Sequence, residues 1–332
     1  MEVVPRDSFN REIDYLRISV IDNCNLRCVY CMPLEGLRFA PKPELLNAAE
    51  IQTVVRAAVG VGFRKFRLTG GEPTIRADLL EIVERMASVA GVGELAMTTN
   101  ALLLSKLALP LKRAGLSRVN VHLDSLNPAT VERLMRWGSF EQMWAGIMAA
   151  EDAGLTPIKL NSVVTAGFNE ADVVELARLT IERDWHVRFI ELMPLGGGEC
   201  ARLSIKRYVS NIETRRRIEA ELGALTEIES HNPSDEAVNY RLPGAKGVVG
   251  FISPVSEPYC GTCNRMRLTA DGKFHLCLLN DDELDVRKAL RNGAPVEQIG
   301  EILRRAVTLK PTGHHLLAGR STQDRSMYQI GG

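Results

Sequence analysis

The stretch Cys24-Asn25-Leu26-Arg27-Cys28-Val29-Tyr30-Cys31 places three cysteines in one short segment, with a tyrosine directly before the last of them. A loop with this spacing can bring three thiolates to one soft metal centre. Four cysteines would complete the ligands of a four-iron cluster, so three leave one iron open to a small molecule. An open position distinguishes a catalytic metal site from a structural one. We therefore predict a catalytic iron–sulfur site, around which the rest of the chain forms a cage.

These cysteines have two other interpretations, a disulfide framework and a zinc site. A disulfide framework is disfavoured because the chain has only 7 cysteines in 332 residues and shows no signal-peptide pattern. Zinc remains the alternative to iron. Zinc modules usually show two Cys-x-x-Cys or Cys/His pairs, whereas the gaps here are unequal and no histidine lies near the loop.

The same residues resemble the signature of the radical S-adenosylmethionine (SAM) superfamily, with Cys24, Cys28 and Cys31 as iron ligands and Tyr30 beside them. The resemblance implies that SAM chelates the open iron through its amino and carboxylate groups. It also implies that a reducing electron splits SAM into methionine and a 5′-deoxyadenosyl radical. In such enzymes the protein positions the cofactor and excludes water.

The composition is that of a soluble globular protein, with 45% hydrophobic and 25% charged residues. Lys plus Arg and Asp plus Glu number 41 each, so no global field attracts nucleic acid or an anionic membrane. No apolar run reaches the roughly 18 residues that cross a bilayer. We expect a cytoplasmic protein without nucleic-acid or membrane partners, which captures any anionic ligand through a local cluster of cations.

From Tyr15 to Met193, short strand-like runs alternate with amphipathic helical runs, which predicts repeated βα units and a parallel sheet. The predicted strands are Tyr15–Val20, Lys65–Thr69, Glu94–Thr99, Arg118–Asp124, Ile158–Val164 and Arg188–Met193. The predicted helices include Ala48–Val61, Ala77–Ala90 and Glu170–Arg183, the last with Asn169 as its N-cap.

Apolar and polar residues alternate along these strands, as Leu16 and Ile18 do with Arg17. Successive side chains of a strand face opposite sides, so one face packs under helices while the other is polar. An open doubly wound sheet would be apolar on both faces. A barrel filled with packing residues would not carry charges inward. We therefore predict an α/β fold with an incomplete (β/α)6 TIM-like barrel and a wet, ligand-holding interior.

The alternation of strand-like and helical runs ends after about Leu195. Turn-forming residues become frequent after the predicted helix Ile212–Gly223. Helical patterns return at Leu284–Arg291 and Val296–Val307. We predict two units: residues 1–225 as the partial barrel with the SAM-binding cluster, and residues 226–332 as a smaller α+β extension.

Gly70-Gly71-Glu72-Pro73 follows the second predicted strand and would serve any tight strand-to-helix turn. After the cysteine loop, it resembles the glycine-rich turn that meets the methionine end of SAM in the superfamily. The resemblance assigns Gly71 as the contact, because close backbone approach leaves no room for a side chain.

A second cysteine trio consists of Cys260, Cys263 and Cys277, the last returning across a predicted hairpin whose turn is Asp271-Gly272. Zinc is a stronger alternative here, because Cys200 or a histidine could supply a fourth ligand. A second four-iron cluster with an open iron is the sharper hypothesis, since only three ligands are evident.

Cations gather near this second trio and in the predicted interior. Arg265 and Arg267 alternate along one strand, while Arg17, Arg67 and Lys159 lie on the polar faces of three other strands. A buried cation without a partner is costly, and a polyphosphate would satisfy several at once. These positions predict capture of a polyphosphate anion.

Together, the two trios, the run from Cys260 to Leu278 and the final Gly331-Gly332 resemble the GTP 3′,8-cyclase family of molybdenum cofactor biosynthesis. The likeness runs from about Arg11 to the last residue. It implies two [4Fe-4S] clusters, with SAM at the first and GTP near the second. The GTP contacts that it implies are Arg17, Arg67, Thr98, Lys159, Arg265, Met266 and Arg267, and the SAM contacts are Tyr30, Gly71, His122 and Met193.

The implied reaction begins when the deoxyadenosyl radical removes the hydrogen on C3′ of the GTP ribose. Attack of C3′ on guanine C8 and a reduction then give 3′,8-cyclo-7,8-dihydro-GTP. The family usually has serine at the position of His122, and histidine is larger and can titrate. The family also implies that the end bearing Gly331-Gly332 inserts toward the active site.

The resemblance further implies a homodimer, a reducing electron donor and a downstream cyclic pyranopterin monophosphate synthase that receives the product. Two other functions are alternatives to this one. The first is another radical SAM enzyme with an auxiliary cluster, acting on a peptide. The second is a nucleotide-binding or zinc-stabilised module without catalysis. No role is assigned to Cys200, His314 or His315.

Overall fold

The computed structural model of the chain describes residues 4–195, 198–229, 235–314, 316 and 322–331. Six parallel strands form its centre in chain order. They are β1 (Tyr15–Ser19), β2 (Lys65–Thr69), β3 (Glu94–Thr99), β4 (Arg118–His122), β5 (Lys159–Val164) and β6 (His186–Glu191). The six predicted strands are therefore present, with ends that differ by a few residues.

Helices connect these strands and cover one face of the sheet. They are α1 (Ala48–Val61), α2 (Leu79–Ala87), α3 (Leu104–Arg113), α4 (Pro128–Met135), α5 (Phe140–Asp152) and α6 (Val173–Glu182), with α7 (Gly198–Lys206) and α8 (Asn211–Leu222) after β6. Helix α1 begins with a capping box between Asn47 and Glu50 and ends at Gly62, whose φ of 112° is left-handed. Such a cap contributes about 1 kcal/mol and fixes where the helix begins.

The strand alternation follows the prediction. Leu16 and Ile18 are fully buried in the core formed with the helices, whereas Arg17 between them lines a cavity on the other face, which we call the lumen. The parallel register sets Arg17 beside Arg67 on β2 and Arg267 on the C-terminal side. The prediction of an incomplete barrel with a polar interior is confirmed, because the sheet has two ends and does not close.

The C-terminal part adds strands to both sides of this central sheet. They are β7 (Thr226–Ile228), β8 (Val238–Arg241), β9 (Val248–Ile252), β10 (Arg265–Leu268), β11 (Lys273–His275) and β12 (Glu283–Asp285). Strand β10 pairs in parallel with β1, and β9 pairs in parallel with β6. The complete order is β12-β11-β10-β1-β2-β3-β4-β5-β6-β9-β8-β7, so the sheet continues across the boundary predicted near residue 225.

Three helices complete the described part of the C-terminal region: α9 (Arg287–Arg291), α10 (Val296–Thr308) and α11 (Met327–Ile330). Helix α10 packs against α1 of the barrel. The predicted hairpin is present, since β10 and β11 pair in antiparallel fashion around Asp271-Gly272, and Gly272 has a φ of 78°.

Two local predictions were wrong. The predicted helix Leu284–Arg291 begins as strand β12, because Leu284 pairs with Phe274 of the hairpin and sheet pairing outweighs local helix propensity. Asn169 does not cap α6, whose N-cap is Asp172. Its amide instead donates to the carbonyl oxygens of Asp124 at 2.9 Å and Val163 at 3.1 Å, which ties the ends of β4 and β5 together.

Among the helices of the described residues, none combines the length and the apolar character needed to cross a bilayer.

Candidate functional site

One cavity of about 310 Å³ opens on the lumen and is lined by residues from both parts of the chain. All six cysteines of the two predicted trios line it. So do nine of the eleven other predicted site residues: Tyr30, Gly71, His122, Met193, Arg17, Arg67, Thr98, Arg265 and Arg267. The structure thus brings to one place residues that are scattered along nearly the whole sequence.

The N-terminal trio lies on the loop after β1. Burial, followed by the charge of Glu72, raises the pKa of the Cys24 thiol to about 11. Burial also raises the pKa of Cys28 and Cys31, and Cys24 adds to both shifts by charge repulsion. Thiols that would repel one another when ionised need a cation to hold them as thiolates, and metal binding releases their protons. The donor set therefore fits an iron–sulfur cluster.

The C-terminal trio is held by the turn before β10 and the end of the β10–β11 hairpin. Burial alone would raise the pKa of Cys263, but Arg265 and Lys310 outweigh it and lower the pKa to about 6. Burial raises the pKa of Cys277, to which Cys263 and Cys260 add. A thiolate favoured beside two cations suits a metal ligand at neutral pH.

In the part of the chain that the structure describes, no group of three or more His, Cys, Asp or Glu side chains is arranged to hold a metal ion. A four-iron cluster does not require its cysteines to converge on a single metal ion. Each cysteine binds a different iron, and the cluster itself sets the distances between the thiols.

The glycine-rich turn packs against the backbone of the cysteine loop. A Cβ on Gly71 would lie 2.1 Å from the carbonyl oxygen of Asn23, and one on Gly70 would lie 2.4 Å from that of Ile21. The backbone atoms that come close to Gly71 therefore belong to the chain's own cysteine loop. Gly71 N also donates to the carbonyl of Ile21 at 2.6 Å, which fixes the cysteine loop to β2.

Glu72 of this turn is a buried carboxylate that the sequence did not single out. It accepts hydrogen bonds from the hydroxyls of Thr74 at 2.6 Å and Thr99 at 2.7 Å, and from the backbone N–H of Asn100 at 2.8 Å. Burial raises its pKa, and these donors oppose the shift. Glu72 thus joins the ends of β2 and β3 beside Cys24.

Tyr30 and His122 contact each other and a second buried carboxylate, that of Asp124. Tyr30 Oη donates to Asp124 Oδ2 at 2.6 Å, and His122 Nε2 lies 2.9 Å from Tyr30 Oη and 3.2 Å from Asp124 Oδ2. Burial lowers the pKa of His122, but the charge of Asp124 outweighs it and the net pKa is raised. The histidine therefore anchors the tyrosine of the cysteine loop to the end of β4.

The guanidinium groups form a basic wall on the lumen. Burial lowers the pKa of Arg67 to about 10 and that of Arg267 to about 9, and neighbouring cations contribute to both shifts. Arg67 Nε and Arg17 Nε are buried without a hydrogen-bond partner among the described residues. Such a wall can stabilise a polyanion that replaces water around these groups.

Two predicted GTP contacts do not line the cavity. Met266 is fully buried in the hydrophobic core, because its side chain faces opposite to Arg265 and Arg267 on β10. Any contact from Met266 is thus left to its backbone. Lys159 lies on β5 beside Asn120 of β4, and burial together with Arg188 and Arg118 lowers its pKa to about 7.

Sequence reasoning missed Arg188 and Glu236. Arg188 is 3% exposed and lies on the polar face of β6, between Val187 and Phe189, so the strand alternation could have found it. Glu236 lines the cavity from the connection between β7 and β8. No signal pointed to it, because this stretch has neither a motif nor a regular period.

Glu191, at the end of β6, is another buried carboxylate, and it lines the cavity. It accepts hydrogen bonds from the backbone N–H groups of Val255 at 3.0 Å, Ser256 at 2.9 Å and Asn211 at 3.0 Å, and from Tyr208 Oη at 2.9 Å. It thereby fixes the segment that leads to the second cysteine trio.

Replacing Glu191 with alanine is expected to lower the free energy of unfolding by about 3–5 kcal/mol, because buried donors lose their charged acceptor. Urea denaturation of the isolated protein measures the loss. The matched control is Glu81→Ala, since Glu81 is half-exposed and pairs with Arg85 on α2. That change is expected to cost no more than about 0.5 kcal/mol, and a similar cost for both would contradict the prediction.

The described C-terminal residues, of which Gly331 is the last, reach the lumen. The Arg267 guanidinium donates to the carbonyl oxygen of Gly331, and a Cβ on Gly331 would lie 2.8 Å from Thr69 Oγ1. The segment before it is held by ion pairs of Arg325 with Asp271 at 3.0 Å and with Glu283. Gly332 and His315 lie outside the described residues.

Cys200 and His314 have different surroundings. Cys200 is buried on α7, its thiol lies 3.7 Å from the carbonyl oxygen of Val29, and it does not line the cavity. His314 does line the cavity. Burial lowers the pKa of His314.

Two family models match the chain. The Radical SAM superfamily matches residues 18–180, and Molybdenum Cofactor Synthesis C matches residues 185–316. The two matches therefore meet upstream of the boundary predicted near residue 225.

Among solved structures, the chain is similar in fold to Streptococcus suis SuiB bound to S-adenosylmethionine, with a TM-score of 0.60 and 17% identity. That match covers 82% of this chain, which spans 63% of the SuiB chain. It supports the partial barrel and carries no inference about the substrate.

Curated relatives are much closer in sequence. A GTP 3′,8-cyclase of Pelotomaculum thermopropionicum is 48% identical over 327 residues, which cover 98% of this chain and 100% of the relative. A GTP 3′,8-cyclase of Moorella thermoacetica is 45% identical over 329 residues, with the same coverage of both chains. The chain therefore belongs to the GTP 3′,8-cyclase family, and its N-terminal part is a radical SAM domain.

Proposed function

We propose that this protein is a GTP 3′,8-cyclase, which converts GTP to 3′,8-cyclo-7,8-dihydro-GTP in the first step of molybdenum cofactor biosynthesis. The observation that carries the proposal is that one cavity is lined by two cysteine trios and by guanidinium groups of β1, β2 and β10. A peptide-modifying enzyme would have no use for so many buried cations at one site, whereas a triphosphate satisfies several of them.

In this proposal, Cys24, Cys28 and Cys31 hold one [4Fe-4S] cluster, and Cys260, Cys263 and Cys277 hold the other. When bound, the first cluster supplies the electron that splits SAM and so generates the radical that acts on the GTP ribose. Residues 1–225 would form the SAM-binding unit, and residues 226–332 would bring the second cluster and two of the four arginines of the substrate site.

The protein's part is to hold both ligands in register and to keep water out. For SAM we propose contacts from Tyr30, Gly71, His122 and Met193, all of which line the cavity. Because Tyr30 Oη already donates to Asp124, its lone pair accepts from His122, so the pair positions the cysteine loop as one unit. The backbone N–H of Glu72, in the turn after β2, donates to the carbonyl oxygen of Asn23 at 2.8 Å and supports the same loop.

For GTP we propose contacts from Arg17, Arg67, Thr98, Lys159, Arg265 and Arg267, with a backbone contact from Met266. Burial of these cations makes each hydrogen bond to phosphate stronger than it would be in water. They also fix the nucleotide, so that C3′ is held where a hydrogen can be removed. No general base is required for that step, since a hydrogen atom and not a proton leaves.

The test is anaerobic incubation of the reconstituted protein with SAM, a strong reductant and GTP deuterated at C3′. The expected product is an isomer of GTP that separates by chromatography, and the deuterium is expected in 5′-deoxyadenosine. Iron analysis should give about eight irons per chain for two four-iron clusters. Zinc without iron, or deoxyadenosine without deuterium, would reject the proposal.

GTP binding is expected to weaken as the pH rises from about 7 to about 8.5, because the pKa of Lys159 is lowered by burial and must rise when phosphate binds. With a pKa of about 7, the ammonium of Lys159 becomes mostly neutral in the free protein over this range, so binding must take up a proton. The expected loss approaches about tenfold per pH unit.

Calorimetry in buffers of different ionisation enthalpy measures both the affinity and the proton uptake. Lys159→Arg is the matched control, because arginine stays charged throughout this range. That variant should lose the proton uptake, and an unchanged uptake would show that another group is responsible.

We further propose that the protein works in the cytoplasm as a homodimer, receives electrons from a reducing donor and passes its product to a cyclic pyranopterin monophosphate synthase. Equal numbers of acidic and basic residues support the absence of nucleic-acid and membrane partners.

A further inference from the structure

A carboxylate lies inside the basic wall. Glu236 precedes β8, and its side chain is 12% exposed. Its Oε1 accepts from Arg17 Nη2 and its Oε2 accepts from Arg265 Nη1, so both oxygens are used by guanidinium groups of the adjacent strands β1 and β10. The two arginine side chains are 10% and 8% exposed, which makes these ion pairs largely shielded from solvent.

More cations than these two act on the carboxylate. Burial by itself would raise the pKa of Glu236, but Arg17, Arg265, Arg67 and Arg188 outweigh it and hold the pKa well below its ordinary value. The four arginines come from four different strands, so Glu236 interacts electrostatically with arginines across the whole wall. An ionised carboxylate in this position neutralises part of the charge that would otherwise attract a polyphosphate.

The same guanidinium groups are those proposed to bind the phosphates of GTP. A phosphate bound to Arg17 and Arg265 would meet a carboxylate that already accepts from both, and two anions in a shielded site repel strongly. The ligand therefore competes with Glu236 for its donors. A ligand with many negative charges makes a more favourable electrostatic interaction with the arginines of the wall than a ligand with few charges or none.

Resting on the proposed function, we propose that Glu236 is an internal anion that occupies the phosphate subsite and that only a polyphosphate displaces. The free cavity then holds its arginines paired and correctly placed, as a bound phosphate would. Weak anions and uncharged nucleosides gain too little from the wall to take its place.

The experiment compares wild type with Glu236→Gln, both as anaerobically reconstituted protein, by calorimetry with inorganic tripolyphosphate, GTP and guanosine. Removing the competing charge is expected to tighten tripolyphosphate and GTP binding by about tenfold or more. Guanosine binding is expected to stay within about twofold, because guanosine has no phosphate to compete with the carboxylate. The matched control is Asp235→Asn, which removes a charge from the neighbouring residue, whose carboxylate contacts Asn239 and the backbone of Ala237.

Equal or weaker tripolyphosphate binding by Glu236→Gln would overturn the inference, as would the same gain in Asp235→Asn. Loss of the ion pairs could unfold the variant, so its melting temperature is also followed against tripolyphosphate concentration. A larger stabilisation than in wild type supports the inference, and a smaller one overturns it. If wild type binds tripolyphosphate but binds GTP no more tightly than guanosine, the proposed function fails. The comparison of tripolyphosphate binding by wild type and Glu236→Gln still decides the role of Glu236.

Discussion

Cys28→Ser is expected to abolish cyclisation and SAM cleavage while leaving the iron of the proposed C-terminal cluster in place. Cys28 is the central cysteine of the loop after β1, and the charges of Cys31 and Cys24 both act on its thiol. Serine is nearly the same size, but its hydroxyl does not provide the soft thiolate that the iron requires. Iron is therefore expected to fall from about eight to about four atoms per chain.

Cys200→Ser is the matched control, because Cys200 is buried against the same loop but does not line the cavity. This variant should keep its iron and its activity. Cys263→Ser gives the reciprocal result: the N-terminal iron stays, and SAM is cleaved without formation of the cyclised nucleotide. If Cys28→Ser retained all its iron, or if Cys200→Ser lost it, the assignment of the N-terminal ligands would be wrong.

Deletion of Gly331 and Gly332 is expected to lower cyclisation by about a hundredfold or more while SAM cleavage continues, because a small misplacement of a substrate-binding group is enough for such a loss. The Arg267 guanidinium donates to the Gly331 carbonyl, so the chain end sets the position of a proposed GTP contact. Assays of 5′-deoxyadenosine and of the cyclised nucleotide in the same reaction separate the two effects.

Gly331→Ala tests whether close packing of the chain end matters. Its φ of 87° and the approach of Thr69 both oppose a side chain there. Gly293→Ala is the matched control, since Gly293 has a φ of 70° but nothing within 4 Å of the added Cβ. Cyclisation should fall only in the first variant. Unchanged cyclisation after the deletion would remove the chain end from the mechanism.

Much of the fold was predictable because apolar and polar residues alternate along parts of the central strands. Arg17 between Leu16 and Ile18 indicated both the helix-covered face and the polar lumen, and the same rule extends to Arg188. Cysteine spacing predicted the metal ligands without reference to the fold. In both instances the signal is local, since neighbouring residues in the sequence determine it.

What the sequence could not indicate depends on contacts between distant segments. Glu236 acquires its role only when β1 and β10 become neighbours, and Gly71 packs against a loop almost fifty residues upstream. Leu284 has a helical pattern but is recruited as a strand by Phe274. Met266 shares a motif with two arginines, yet its side chain faces the core because alternation applies within motifs as well.

The pairing of β10 with β1 and of β9 with β6 has a consequence for how the protein is made. Both outer edges of the six-strand barrel are covered by segments translated near the end of the chain. Until those segments leave the ribosome, the nascent barrel presents two unpaired strand edges, which are templates for aggregation. Premature termination near residue 225 would leave that hazard permanent, so we expect the early translation product to depend on chaperones.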